Sequence, residues 1–260
     1  MHARAMGILA AAAAIGFAST PAIAADLGVP GANAPAVAPI RAVYDWTGFF
    51  VGAHVGYGWS SEAIALTPFG PYPAGTIPAA IAANANGLVG GVQYGTNWQL
   101  QRVVLGTESD FSFTGIRESG LAATHAAIRG EQKLPFFGTT RVRAGYAVDD
   151  NVLVYATGGL ANGRAETDFS AAGPGVATFG SKHRSLWGWG AGGGIEYGIG
   201  PWSAKIEYLH FDLGTETFYA FDARTSGAFT RVSTRFAGDM VRAGVDYRFA
   251  WTPWQVLFGK

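Results

Sequence analysis

From Trp46 to Phe249 apolar and polar positions alternate with a period of two, the spacing of a β-strand with two unlike faces. Eight such runs begin near Gly48, Leu88, Arg102, Pro135, Val152, Leu186, Trp202 and Asp239. In the first, Phe49, Val51, Ala53, Val55, Tyr57 and Trp59 oppose Phe50, Gly52, His54, Gly56 and Gly58. In the seventh, Trp202, Ala204, Ile206 and Tyr208 oppose Ser203, Lys205 and Glu207. Only the fifth, Val152 to Ala161, is apolar or small on both faces. The connections alternate in length. Ser60–Asn86, the stretch around Arg117–Lys133, Gly163–Arg184 and Gly214–Gly238 are long, whereas Gln99–Gln101, Val148–Asn151 and Gly198–Pro201 are short. An even number of antiparallel strands, with tight turns at one end and long loops at the other, predicts an all-β, eight-stranded, up-and-down transmembrane barrel with long extracellular loops and short periplasmic turns.

Alternation does not say which face points outward. A soluble lipocalin-like barrel turns its apolar face inward around a ligand. Two features argue for the opposite. Aromatics on the apolar face gather at two levels, Trp59, Phe111, Phe113 and Trp187 toward the long loops and Phe49, Trp98, Tyr146, Tyr197, Trp202, Tyr247 and Phe249 toward the short turns. Two girdles flanking an aliphatic band match the two water boundaries of a membrane. The other face combines glycines with Glu108, Asp110, Glu196, Glu207 and Asp246 and with Arg141, Arg143, Lys205, Arg242 and Arg248. An eight-stranded barrel has room inside only for side chains, so equal numbers of each sign are expected to neutralise one another there.

Composition narrows the class. Charged residues make up 14% of the chain, and the net charge is zero with no basic tract, which excludes a nucleic-acid partner. With no Cys, a disulfide framework and a thiolate metal site are both excluded. Residues 1–24 read as a signal peptide, with Arg4 in a positive start, an Ala-rich apolar core and a small-x-small site at Ala22-Ile23-Ala24. Residues 25–45 read as a Pro/Ala-rich periplasmic linker, 46–249 as the barrel and 250–260 as a C-terminal extension.

Candidate chemistry is sparse. Gly188-Trp-Gly-Ala-Gly-Gly193 matches a dinucleotide fingerprint by its letters, but it lies within a strand rather than at a strand-turn-helix junction. His125 and His183 fall in the long connections, where a haem or metal site is conceivable. His210 and Asp212 imitate part of a Ser/His/acid set without a positioned nucleophile. We therefore assign no catalytic, cofactor or metal residues. The first long connection, with Pro68, Pro71, Pro73 and Pro78, is apolar enough either to touch lipid head groups or a partner, or to fold over the barrel mouth.

Several of these segments together are familiar. Trp46 to Trp59, Gly90 to Gln99, Gly138 to Tyr146, Leu153 to Ala161, Trp202 to Leu209 and Val241 to Phe249 resemble, in order, the strands of the small outer-membrane β-barrel proteins of alphaproteobacteria, the outer-membrane immunogenic proteins or porin-family surface antigens. The Ala24-Ala-Asp-Leu27 start belongs to the same resemblance. It implies a structural surface protein of the cell outer membrane, in contact with outer-membrane lipid and lipopolysaccharide, with adhesion or haem binding in some members. The family usually ends on the aromatic of its last strand, resembling the signal read by the outer-membrane assembly machinery. Here eleven residues follow Phe249. The functional expectation is a structural barrel with a closed or nearly closed interior, with a small-solute porin or a loop-mediated haem or ligand binder as alternatives.

Overall fold

The computed structural model describes residues 44–249 apart from 73, 83, 124–126 and 174–175, and no side chains over 118–126. The expected signal peptide, the extension at 250–260 and all but the last two residues of the linker lie outside the described residues, as does His125. Eleven strands follow in chain order: β1 (Gly48–Trp59), β2 (Ile64–Phe69), β3 (Ala80–Ile81), β4 (Asn86–Leu100), β5 (Val103–Thr114), β6 (Arg117–Ala123), β7 (Ala127–Asp149), β8 (Val152–Gly173), β9 (Val176–Ile199), β10 (Trp202–Asp222) and β11 (Phe229–Phe249). Eight of them form a ring in the order β1-β4-β5-β7-β8-β9-β10-β11, every neighbour antiparallel. The ring closes where β11 returns to β1, from Phe49↔Phe249 to Trp59↔Asp239. Closure leaves no sheet edge in the membrane, so every backbone polar group of that zone finds a partner within the chain.

The short turns fall where the spacing predicts, between Leu100 and Val103, Asp149 and Val152, and Ile199 and Trp202. Gln101 (φ 56°) and Gly200 (φ 58°) take the left-handed conformation that such tight reversals demand.

The other end differs from expectation. Most of the residues expected in long loops are strand: β8 runs on to Gly173, β9 starts at Val176, β10 reaches Asp222 and β11 starts at Phe229. The alternation continues there, but its polarity inverts. Along β10 the lumen side carries Ser203, Lys205 and Glu207, then changes to Leu209, Phe211 and Leu213, all buried. An apolar face followed outward from the membrane therefore ends at the water boundary, although the strand does not.

Two apolar layers fill this upper storey. One gathers Val89, Ile116, Leu134, Phe137, Ala161, Leu186, Leu209, Phe211, Leu213, Phe236 and Met240. The other, farther out, gathers Ile64, Leu66, Ile77, Ile81, Ile128, Phe169, Val176, Phe218 and Val232. Each fully buried side chain of this kind contributes about 1.5–3 kcal/mol. The Pro-rich connection supplies part of the outer layer: β2 adds to the upper part of β11, β3 adds to β2, and Ile64, Leu66, Ile77 and Ile81 point inward. That segment folds over the barrel mouth.

Candidate functional site

In the membrane zone the lumen holds ionised side chains and the wall holds apolar ones. On adjacent positions of β10, Ile206 is 66% exposed and Glu207 is 1% exposed. The outward set includes Val51, Val55, Leu88, Val92, Leu105, Val142, Val154, Ile195 and Val245. The inner aromatic level is built from Phe49 against Phe249 (6.0 Å between ring centroids), Trp202 against Tyr247 (4.9 Å) and Tyr247 against Phe249 (5.1 Å). The outer level holds Tyr57, Trp59, Phe111, Phe113, Trp187 and Trp189 on the exposed face. β1 joins the two levels with 12 residues, the length of a strand tilted across a membrane.

Arg141, fully buried, is the centre of the lumen network. Its guanidinium donates to Glu108 Oε1 (2.9 Å), Glu207 Oε1 (3.0 Å) and Asp110 Oδ2 (3.2 Å), and its Nε donates to Thr139 (2.8 Å). Arg242 pairs with Asp110 (3.0 Å) and with Glu207. Arg143 reaches Glu196 (2.5 Å) and Glu108 (3.4 Å), with its guanidinium 4.0 Å from the centre of the Tyr155 ring. Lys205 Nζ donates to Glu108 (2.7 Å) and faces Asp246 at 3.6 Å. Neutral groups complete the network: Tyr155 donates to Glu207 (3.0 Å), Ser203 to Glu196 (2.6 Å) and Gln93 to Asp246 (2.6 Å). His54 lies between Gln93 (3.0 Å) and Ser112 (2.9 Å). Glycines leave the space this requires. A Cβ on Gly95 would stand 2.6 Å from the Phe50 ring, which itself lies beneath Arg143 and Lys205.

Nine of the ten charged residues expected to face inward meet in this network. The tenth, Arg248, lies lower, with its guanidinium 3.9 Å from the centre of the Tyr44 ring. Tyr44 and Trp46 stand across the short-turn end. Tyr44 N–H donates to the Asp150 carbonyl, its hydroxyl to the Trp202 carbonyl (3.1 Å), and Trp46 N–H to Gln99 Oε1 (2.8 Å). They pack with Val104, Ala147, Leu153 and Tyr155. Sequence reasoning missed these two, because Tyr44 lies before the alternation and Trp46 only at its first position, and it missed Tyr155, because the Val152–Ala161 part of β8 is apolar or small on both faces.

Among the described residues, which leave out His125, the remaining candidates do not assemble. Gly188 to Gly193 lies inside β9, in strand pairing with β8 and β10. His210 Nδ1 is 2.8 Å from Asp239, which also accepts from the Tyr208 hydroxyl (2.6 Å), whereas Asp212 takes Arg235 (2.5 Å) and the Gly214 N–H. His210 and Asp212 therefore serve different partners. His183 is on the outer wall, 3.7 Å from Glu166. Among the described residues no group of three or more His, Asp or Glu is arranged to hold a metal ion. A cavity of about 20 Å³ lies between the network and the mouth, lined in part by Ile116, Leu134, Phe211 and Phe236, with room for about one water molecule.

Comparison with known proteins follows from this geometry. The profile of the outer membrane protein beta-barrel domain family matches residues 10–249. The 31 kDa outer-membrane immunogenic protein of Brucella melitensis biotype 1 is 36% identical over 247 residues, 93% of this chain and 98% of that one. A 22 kDa outer membrane protein of Rhizobium leguminosarum bv. viciae is 26% identical over 82% of each chain. Among solved structures, the outer membrane protein OprG of Pseudomonas aeruginosa aligns with a TM-score of 0.51 at 14% identity, over 78% of this chain and 96% of its own.

Proposed function

The chain belongs to the outer membrane protein beta-barrel domain family and resides in the cell outer membrane, and from that premise we propose that it is a structural surface barrel, closed to solutes, whose outer end makes contacts outside the cell. The observation that carries this proposal is the Arg141 cluster, where four cations and five carboxylates occupy the lumen of a barrel whose bore admits little more than side chains. A water-filled channel usually requires about 16 strands. The apolar layers above the network and the Tyr44–Trp46 pair below it add two more obstructions along the axis. The protein works without catalysis in this scheme, and its residents are lipid and lipopolysaccharide on the outside wall. The outer-membrane assembly machinery is the partner that inserts it.

Single-channel recording in a planar bilayer tests the proposal. The closed barrel gives a silent membrane. Steady, reproducible conductance steps would instead establish the small-solute porin.

A further inference from the structure

The outer wall carries a third aromatic level that the membrane does not explain. Phe179, Phe221, Phe229 and Phe69 occupy one register row across β9, β10, β11 and β2. Phe69 and Phe229 stack at 4.9 Å, and Tyr219 meets Phe229 edge-on at 5.6 Å. Phe179 and Phe221 are each about two-thirds exposed, at 65% and 66%. Phe229 stands ten positions along β11 from Asp239, the residue paired with Trp59 of the outer girdle. At about 3.4 Å per residue and a tilt near 40°, the row is about 25 Å above the girdle.

The wall between them is polar. Outward positions there include Thr217, Arg231, Ser233 and Arg235. The membrane band mixes Val, Leu and Ile with its aromatics, whereas the outer row contains aromatic rings alone, so it is not a continuation of the lipid-facing surface.

Beside Phe179 the wall is hollowed into a groove of about 370 Å³. Its surface is a two-row grid set by strand register: Glu131, Asp168 and Ser181 in one row, Arg129, Ser170 and Phe179 in the next. Carboxylates accept hydrogen bonds, the guanidinium donates, and the two serines do both. Flat rings next to such groups match sugars, whose C–H faces lie on aromatic rings and whose hydroxyl edges require close-set donors and acceptors.

We propose that this strip, the aromatic row together with the groove at Phe179, binds the oligosaccharide chains of the lipopolysaccharide that surrounds the barrel. The proposal rests on the assignment of the long-strand end to the cell exterior. At about 25 Å above the outer girdle the strip stands at the height of the sugars rather than of the lipid, and it faces sideways toward neighbouring lipopolysaccharide rather than up from the mouth.

The test is calorimetric titration of the full chain, refolded in phosphatidylcholine vesicles, with lipid-free core oligosaccharide. Saturable binding is expected, with dextran giving none. Phe179→Ser/Phe221→Ser should weaken binding at least tenfold, and Asp168→Asn by a similar factor, while both variants keep the heat-dependent gel mobility of a folded barrel. Absence of saturable binding, equal binding of dextran, or unchanged affinity in the folded variants would overturn the site. Conductance steps in the native protein would remove the closed-barrel function and leave this result intact, so the two failures are separable.

Discussion

Arg141 touches Glu108, Asp110 and Glu207 at once and is fully buried. Such a group is stable only while it is complete, because removing one member of a buried ionic set leaves the others desolvated and unpaired. Arg141→Met is therefore expected to destabilise the barrel by about 3–5 kcal/mol, read as a lower urea midpoint for loss of the folded tryptophan signal in lipid vesicles. An unchanged midpoint would mean that the carboxylates find water instead of Arg141. The charged members of this cluster are legible in the sequence because each falls on the parity opposite the apolar face of its strand. Tyr155 is not: both faces of the Val152–Ala161 part of β8 are apolar or small, and only the closed ring turns Val154 outward and Tyr155 in. Arg248 shows the limit of parity, which gives the side of the wall and not the depth, so its partnership with Tyr44 emerges only in three dimensions.

The strands change character at the outer girdle, and their stability should divide there. Phe137, fully buried and 4.8 Å from the Phe211 ring, anchors the apolar layer just above the ions. Phe137→Ala is expected to cost about 3–5 kcal/mol, measured by the same urea titration. Nearer the tip, Asp222 fastens the β10–β11 turn by accepting from the backbone N–H groups of Ala177, Arg224 and Thr225 and from the Thr178 hydroxyl. Burial pushes its carboxyl upward, but these hydrogen bonds outweigh burial and hold the pKa below the ordinary value. A depressed folded-state pKa stabilises the folded form above the unfolded value near 3.9, and this contribution is lost as pH falls through the folded one. The Ala177 and Thr225 amides should thus lose hydrogen-exchange protection in acid below about pH 4, and Asp222→Asn should lose it already at neutral pH. The eight strands of the ring, its short turns and its closure were legible at this scale. The extension of β7 to β11 beyond the membrane was not, since an alternation that reverses its polarity at a water boundary looks like an ending when only the apolar face is followed.

The barrel as a whole is layered along its axis: Tyr44 and Trp46 at the short turns, ions at membrane depth, two apolar layers beyond, and an aromatic strip on the outside near the tip. Its wall obeys the opposite rule from a soluble barrel only between the two girdles, and that inversion is the central physical claim. It is tested most directly by asking which side of the wall lies in lipid. The chain has no Cys, so a single introduced thiol reports one position. Ile206→Cys on β10 and Thr157→Cys on β8, two strands that flank β9, place it on the exposed and the buried face of the wall within the membrane zone. A fluorophore on Ile206→Cys in vesicles should be quenched by lipids brominated along their acyl chains, while Thr157→Cys in the folded protein should resist a water-soluble maleimide. Quenching absent at position 206, together with rapid labelling at position 157, would contradict the account and turn the barrel inside out.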